Sequence, residues 1–189
     1  MLLSHSANVN AGVGAFFGTP LHHAVRMGDI GFIELLIARG ADINAVEDCG
    51  RTPLGIAVLE GFKNIVEFLI AKGANVNAVE RDGCTPLHLL SGKRNGGEGP
   101  LRGQIAQILI EHGANVNAAN KNGDTPLHGA AHMCDGDVMK VLIECGANVN
   151  ARNKQVRYND GGETPLAVLR GVASDRSPEF QLLLRHGGV

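Results

Sequence analysis

An all-α solenoid of stacked helix-turn-helix units with β-hairpin-like fingers is the fold class this 189-residue chain predicts, on three observations. Thr-Pro recurs at Thr19-Pro20, Thr52-Pro53, Thr85-Pro86, Thr125-Pro126 and Thr164-Pro165, at intervals of 33, 33, 40 and 39. A second marker, Gly-Ala-(Asn/Asp)-(Val/Ile)-Asn-Ala, begins at Gly40, Gly73, Gly113 and Gly146, at intervals of 33, 40 and 33. Between the markers, apolar residues fall at helical spacing. Self-similarity at a fixed period of roughly 20–50 residues is the signature of repeats that bury their apolar faces on one another.

Each period reads as one supersecondary unit. Threonine before proline is an N-cap followed by the first helical position, where the missing N–H costs nothing. Small and apolar residues follow, such as Leu127, Ala130 and Ala131, and Gly28 or Gly61 breaks the helix. A second helix then places Ile65, Val66, Phe68, Leu69 and Ile70 in one copy, and Val138, Val141, Leu142 and Ile143 in another, at helical spacing. The glycine that follows (Gly40, Gly73, Gly113, Gly146) stands where a helix C′ residue needs positive φ. Arg39, Lys72, His112 and His186 precede such glycines, as cations or potential cations at helix C-termini. Asn-Val-Asn-Ala and an Asp/Asn-x-Gly turn complete an extended, hairpin-like excursion to the next Thr-Pro.

Counting between markers places the expansions. Seven extra residues lie within Ser91–Gly103, six within Arg152–Gly162, and two before Gly187. The expected organisation is a single domain over 1–189. It comprises a partial N-terminal repeat at 1–13 and repeats at about 14–46, 47–79, 80–119, 120–152 and 153–189.

Composition agrees. Glycine makes up 26 of 189 residues, about twice the usual ~7%, yet without the every-third-residue period of collagen. A 44% hydrophobic content and a net charge of −2 exclude a disordered chain. No apolar stretch approaches the ~18–20 residues of a membrane-spanning helix. With 17 Lys+Arg against 19 Asp+Glu there is no basic excess to carry a phosphate backbone, so neither nucleic acid nor membrane is an expected partner. Cys49, Cys84, Cys134 and Cys145 match no CxxC metal or redox spacing and read as unpaired thiols. The start, Met1-Leu2-Leu3-Ser4-His5, is too short an apolar run for a secretory signal, so the expected location is cytoplasmic or, after delivery, a host cytosol.

At this point the pattern resembles the ankyrin repeat family. Thr19-Pro20-Leu21-His22, Thr85-Pro86-Leu87-His88 and Thr125-Pro126-Leu127-His128 are copies of its T-P-L-H signature, and the Gly-Ala-Asn-Val-Asn-Ala segments match the end of its repeat. The resemblance covers essentially the whole chain. Gly55 and Ala167 replace the signature histidine in the second and fifth copies, and Phe17 takes the turn-glycine position of Gly50, Gly83, Gly123 and Gly162. Met1–Ala11 aligns onto the tail of a repeat, Leu2-Leu3 on Leu36-Ile37. The resemblance implies that His22, His88 and His128 are structural, bonding near their own turn. It also makes Asn44, Asn77, Asn117 and Asn150 the position that asparaginyl hydroxylases modify in such repeats, read here as a hairpin-bonding structural asparagine.

No catalytic, cofactor or metal site is expected. Gly92–Gly99 lacks GxxxxGK[ST] and does not join a strand to a helix, so it reads as a flexible insertion. The acidic residues are scattered. The expectation is a non-enzymatic protein–protein interaction module, binding another protein through a concave surface of finger tips and first helices. Residues that vary there from copy to copy carry specificity: Asp48, Cys49 and Arg51, then Arg81 and Asp82, then Lys121, Asn122 and Asp124 on the fingers. Near the ends of first helices they are Arg26 and Met27, Leu59 and Glu60, and His132 and Met133. Arg157 and Tyr158, the single tyrosine, join them from the fifth finger as interface anchors. The alternative is a targeting or regulatory segment of a larger enzyme or secreted effector, suggested by a start inside a second helix. The leucine-rich, uncapped end, Leu182-Leu183-Leu184, also predicts weak self-association.

Overall fold

The computed structural model describes residues 8–12, 18–92, 99–155 and 162–189. Five first helices open on the Thr-Pro pairs: α1 (Pro20–Met27), α3 (Pro53–Glu60), α5 (Pro86–Leu89), α7 (Pro126–His132) and α9 (Pro165–Arg170). Each is followed by a second helix: α2 (Ile30–Ala38), α4 (Lys63–Ala71), α6 (Gly99–Glu111), α8 (Gly136–Glu144) and α10 (Pro178–Arg185). The first helices stack in chain order, α1 on α3 on α5 on α7 on α9, and α4, α6, α8 and α10 stack behind them. The result is an all-α repeat solenoid.

The threonines cap as their position predicts. All five are extended, with Thr52 at φ −92 and ψ 164, and the Thr52 Oγ1 accepts from the Gly55 N–H at 3.2 Å. Two rails of leucine run the length of the stack. Leu21, Leu54, Leu87, Leu127 and Leu166 occupy one position of the first helices, and Leu36, Leu69, Leu109, Leu142 and Leu183 one position of the second, all no more than 1% exposed. Burying each contributes about 1.5–3 kcal/mol. Burial thus repeats with the period of the sequence, and the apolar cluster is continuous from Leu21 to Leu183. Among the described residues no helix is long and apolar enough to cross a membrane.

Glycine ends the second helices in the left-handed conformation, as at Gly73 with φ +93. The excursions that follow are turns rather than ladders: among the described residues no strand forms. Among the described residues the second to fifth fingers are each bridged across the stem by one backbone bond, such as Glu47 N–H to the Arg51 carbonyl at 3.0 Å or Asn120 N–H to the Asp124 carbonyl at 3.0 Å. Arms this short leave room for a single rung. At the second tip Gly50 has φ +84, and a Cβ there would lie 2.7 Å from the backbone nitrogen of Arg81, so close finger stacking requires its absence.

The stretch read as a flexible insertion, Gly92–Gly99, lies outside the described residues except at its two ends, and the expanded third copy continues as helix. From Gly99 onward the expansion lengthens α6 to 13 residues against nine in α2, α4 and α8, while α5 shrinks to four. Residues 93–98 lie outside the described residues, as do Phe17, Leu2 and Leu3. In the fifth finger the extra residues are clamped at the stem: Asn153 Oδ1 accepts from the N–H of Gln155 at 3.0 Å and of Glu163 at 2.9 Å.

Candidate functional site

The face built from fingers and first helices is held by ties that run from one repeat to the next. In three copies the signature histidine makes the tie. His22 Nδ1 accepts from the Thr19 N–H at 3.1 Å, which leaves Nε2 protonated and 3.1 Å from the Arg51 carbonyl in the next copy. His88 reaches the Asp124 carbonyl at 3.0 Å and His128 the Glu163 carbonyl at 2.9 Å in the same way. Burial holds all three imidazoles below the ordinary histidine pKa, as a neutral ring accepting at Nδ1 requires. The structural role implied by the signature is therefore only half local; the other half spans the repeat junction.

A second set of ties runs between finger stems. Asn153 Nδ2 donates to Asp124 Oδ1 at 2.7 Å, and Asn120 Nδ2 lies 3.6 Å from the Cys84 sulfur. Glutamates hold the corresponding position in the second and third fingers and meet arginines instead. Glu47 pairs with Arg26, and Glu80 Oε1 stands 3.6 Å from Arg51 Nε, too far for a hydrogen bond. Burial pushes the Glu80 carboxyl up and outweighs the Arg51 charge, which pulls it down.

Asp124 apart, the described residues among those expected to carry specificity fall into three groups. Met27, 70% exposed, stands with exposed Asp48, Cys49, Arg81, Asp82, Lys121, Asn122 and His132 along the finger and first-helix edge. Arg26 and Arg51 are partly buried and spend their charge on Glu47 and Glu80. Leu59, Glu60 and Met133 are half-buried, and Leu59 fills the space over Gly92, where a Cβ would come within 2.5 Å of its methyl. Arg157 and Tyr158 lie outside the described residues. The leucine-rich end divides: Leu183 is buried and Leu184 is 43% exposed.

Toward the C-terminal half the face opens into a cleft of about 360 Å³. Asp124, Glu163 and Cys84 line it from the finger stems, His132 from the end of α7, and Val168 and Val172 from α9 and the turn after it. Two glycines also line it. Gly129 stands where α3 carries Ile56 and leaves room for Ser91, whose Oγ a Cβ there would meet at 2.6 Å, and Gly171 stands where α1 carries Arg26 and α3 carries Leu59. Sequence reasoning named Asp124 and His132 but missed Cys84, Glu163, Val168 and Val172. The signal was present in the column just before each Thr-Pro, which reads Gly18, Arg51, Cys84, Asp124, Glu163.

Comparison with curated proteins returns no match. The family model for ankyrin repeats, built of three copies, matches residues 21–97 and again 80–153, which together cover most of the chain. The chain belongs to the ankyrin repeat family.

Proposed function

We propose that the finger and first-helix face binds another protein and that the chain performs no chemistry itself. Ankyrin repeats are generally protein–protein interaction modules. The observation that carries the reading to this face is a division of labour among its side chains. Histidines, asparagines and buried carboxylates tie the backbone from repeat to repeat, while Met27, Arg81, Asp82, Lys121, Asn122 and His132 project from it exposed. A face fixed in advance loses little ordering entropy on binding, so its exposed side chains convert into affinity efficiently. Four stacked copies offer roughly the ~800 Å² per partner of a standard interface. On the same reading the five repeats act as one domain over 1–189, with Arg157 and Tyr158 extending the face from the fifth finger.

Affinity capture followed by quantitative mass spectrometry tests this. Met27→Glu combined with Lys121→Glu removes one or more proteins captured by the wild type, while Lys140→Glu, on the exposed side of α8, leaves the captured set intact. Loss with Lys140→Glu but not with the double variant moves the binding face to the second helices.

A further inference from the structure

The charges of the face are distributed unequally along the stack. In its N-terminal half each buried carboxylate meets an arginine, Glu47 with Arg26 and Glu80 with Arg51. In the C-terminal half the corresponding partner is neutral. Among the described residues the Asp124 carboxylate accepts one hydrogen bond, from the Asn153 amide at 2.7 Å, and forms no ion pair. That bond holds the carboxylate in place without cancelling its charge, because Asn153 is itself buried and clamped to Gln155 and Glu163. Among the described residues no lysine or arginine lines the cleft into which Asp124 faces.

The remaining walls have matching chemistry. Val168 and Val172 supply apolar surface on the α9 side, and Val172 is 46% exposed. Gly129 and Gly171 contribute backbone to the lining between them. An apolar wall ending at a fixed carboxylate suits a side chain with an aliphatic stem and a cationic head. The titration of neighbouring groups reports the same field. The Cys84 thiol is pushed up by burial first and then by the negative charges of Glu80, Asp82 and Asp124, and Asp124 opposes the burial effect at both His88 and His128.

We propose that this cleft receives a cationic side chain, arginine or lysine, presented by the bound protein, with its stem on Val168 and Val172 and its head on Asp124. The inference rests on the finger and first-helix face being the binding face, and it adds the chemistry of the residue that anchors there.

The test titrates the isotope-labelled full chain with Nα-acetyl-arginine methylamide, its lysine counterpart, and the neutral isostere Nα-acetyl-citrulline methylamide, following backbone amide shifts. Arginine or lysine shifts the amides of Gly129, Gly171 and Val172, and the better of the two binds about two- to fivefold tighter than citrulline, the range of one exposed charge pair. Asp124→Asn keeps an oxygen for the Asn153 amide and removes that preference; Asp137→Asn, exposed on α8, preserves it. Equal binding of the cations and citrulline, or a preference that survives Asp124→Asn, overturns the proposal. So does binding that emerges only in Arg157→Ala, which would show the chain filling its own cleft. If the titration fails while Met27→Glu with Lys121→Glu still abolishes capture, the binding face stands and only the cationic anchor falls.

Discussion

Cys134 has φ +52 in the turn between α7 and α8, the place held by Gly28 and Gly61 in the first two copies with φ +70 and +75. A side chain in that conformation costs about 1–2 kcal/mol, of which glycine's extra chain entropy takes back about 0.5–1. Cys134→Gly therefore stabilises by about 0.5–1 kcal/mol, read as a higher urea midpoint at unchanged slope, and Cys134→Val destabilises. The tying histidines set a pH dependence whose sign follows from their environment. Their folded pKa lies below the unfolded value of about 6.5, so the unfolded chain binds more protons as pH falls. The contribution of these residues to stability is complete above that value and is lost as pH drops through it toward the folded pKa, at up to about 1.4 kcal/mol per pH unit for each histidine. Urea unfolding between pH 8 and pH 5 measures this. His128→Gln lowers stability at pH 8 and flattens the acid slope by as much as one proton. Below the unfolded pKa, an unchanged slope would mean that the ring is not the neutral acceptor that its bond from the Thr125 N–H demands.

At the scale of the element, the loop asparagines form a ladder parallel to the histidine ties. Asn117 Oδ1 accepts from the Asn148 N–H at 2.7 Å and its Nδ2 donates to the Gly146 carbonyl at 3.1 Å, and Asn10, Asn77 and Asn150 repeat the pair of bonds with the loop that follows each. Asn117→Ala removes two inter-repeat bonds and costs about 1–3 kcal/mol by thermal or urea unfolding. That these asparagines are structural was legible from their recurrence in phase, as were helix order, caps and both leucine rails, because each depends on local spacing. Partners were not legible. His22 bonds a carbonyl 29 positions away, and nothing within one copy points to Arg51. Glu47 and Glu80 share a column with Asn120 and Asn153, but only the shorter amide can accept from its own finger backbone. The extra methylene sends the glutamates to arginines and hides Arg26 and Arg51 from a partner. The cleft was invisible for a further reason: its lining comes from two finger stems, α7 and α9, which only the stacking of separate copies brings together.

Over the whole molecule, stability in a stacked repeat protein is approximately a sum of terms within repeats and between neighbours, so the weakest junction decides where the stack parts. Polar ties among the described residues are weakest between the α3–α4 pair and the α5–α6 pair, which makes that junction the expected one. Gly55 supplies no histidine there. Among the described residues the second and third fingers share no backbone bond, whereas the third and fourth are joined by Lys121 N–H to the Asp82 carbonyl at 3.0 Å and the fourth and fifth by Lys154 N–H to the Asn122 carbonyl at 2.7 Å. The pair that replaces these ties leaves Arg51 Nε and Glu80 Oε1 buried without a hydrogen-bond partner, a state that costs stability. The Asn77 bonds to Gly113 and Asn115 remain as the polar link. Phe32, 37% exposed where the matching Ile65, Ile105 and Val138 are buried, leaves the N-terminal side of the stack the less densely covered one. Native-state hydrogen exchange in low urea should therefore show α1–α4 losing protection before α6–α10, as two cooperative units rather than one. The repair is specific. A Cβ on Gly55 would approach Leu89 Cδ1 to 3.2 Å, a methyl at the end of a flexible side chain that must shift slightly, and Glu80 Oε1 to 3.3 Å, so Gly55→His alone competes with that carboxylate for one space. Gly55→His with Glu80→Asn frees it, lets the asparagine close its own finger as Asn120 does, and brings the new ring to the Cys84 carbonyl. The double variant gains about 1–2 kcal/mol from the restored bonds and merges the two exchange units. Two units persisting in a variant of raised stability would place the weak junction elsewhere.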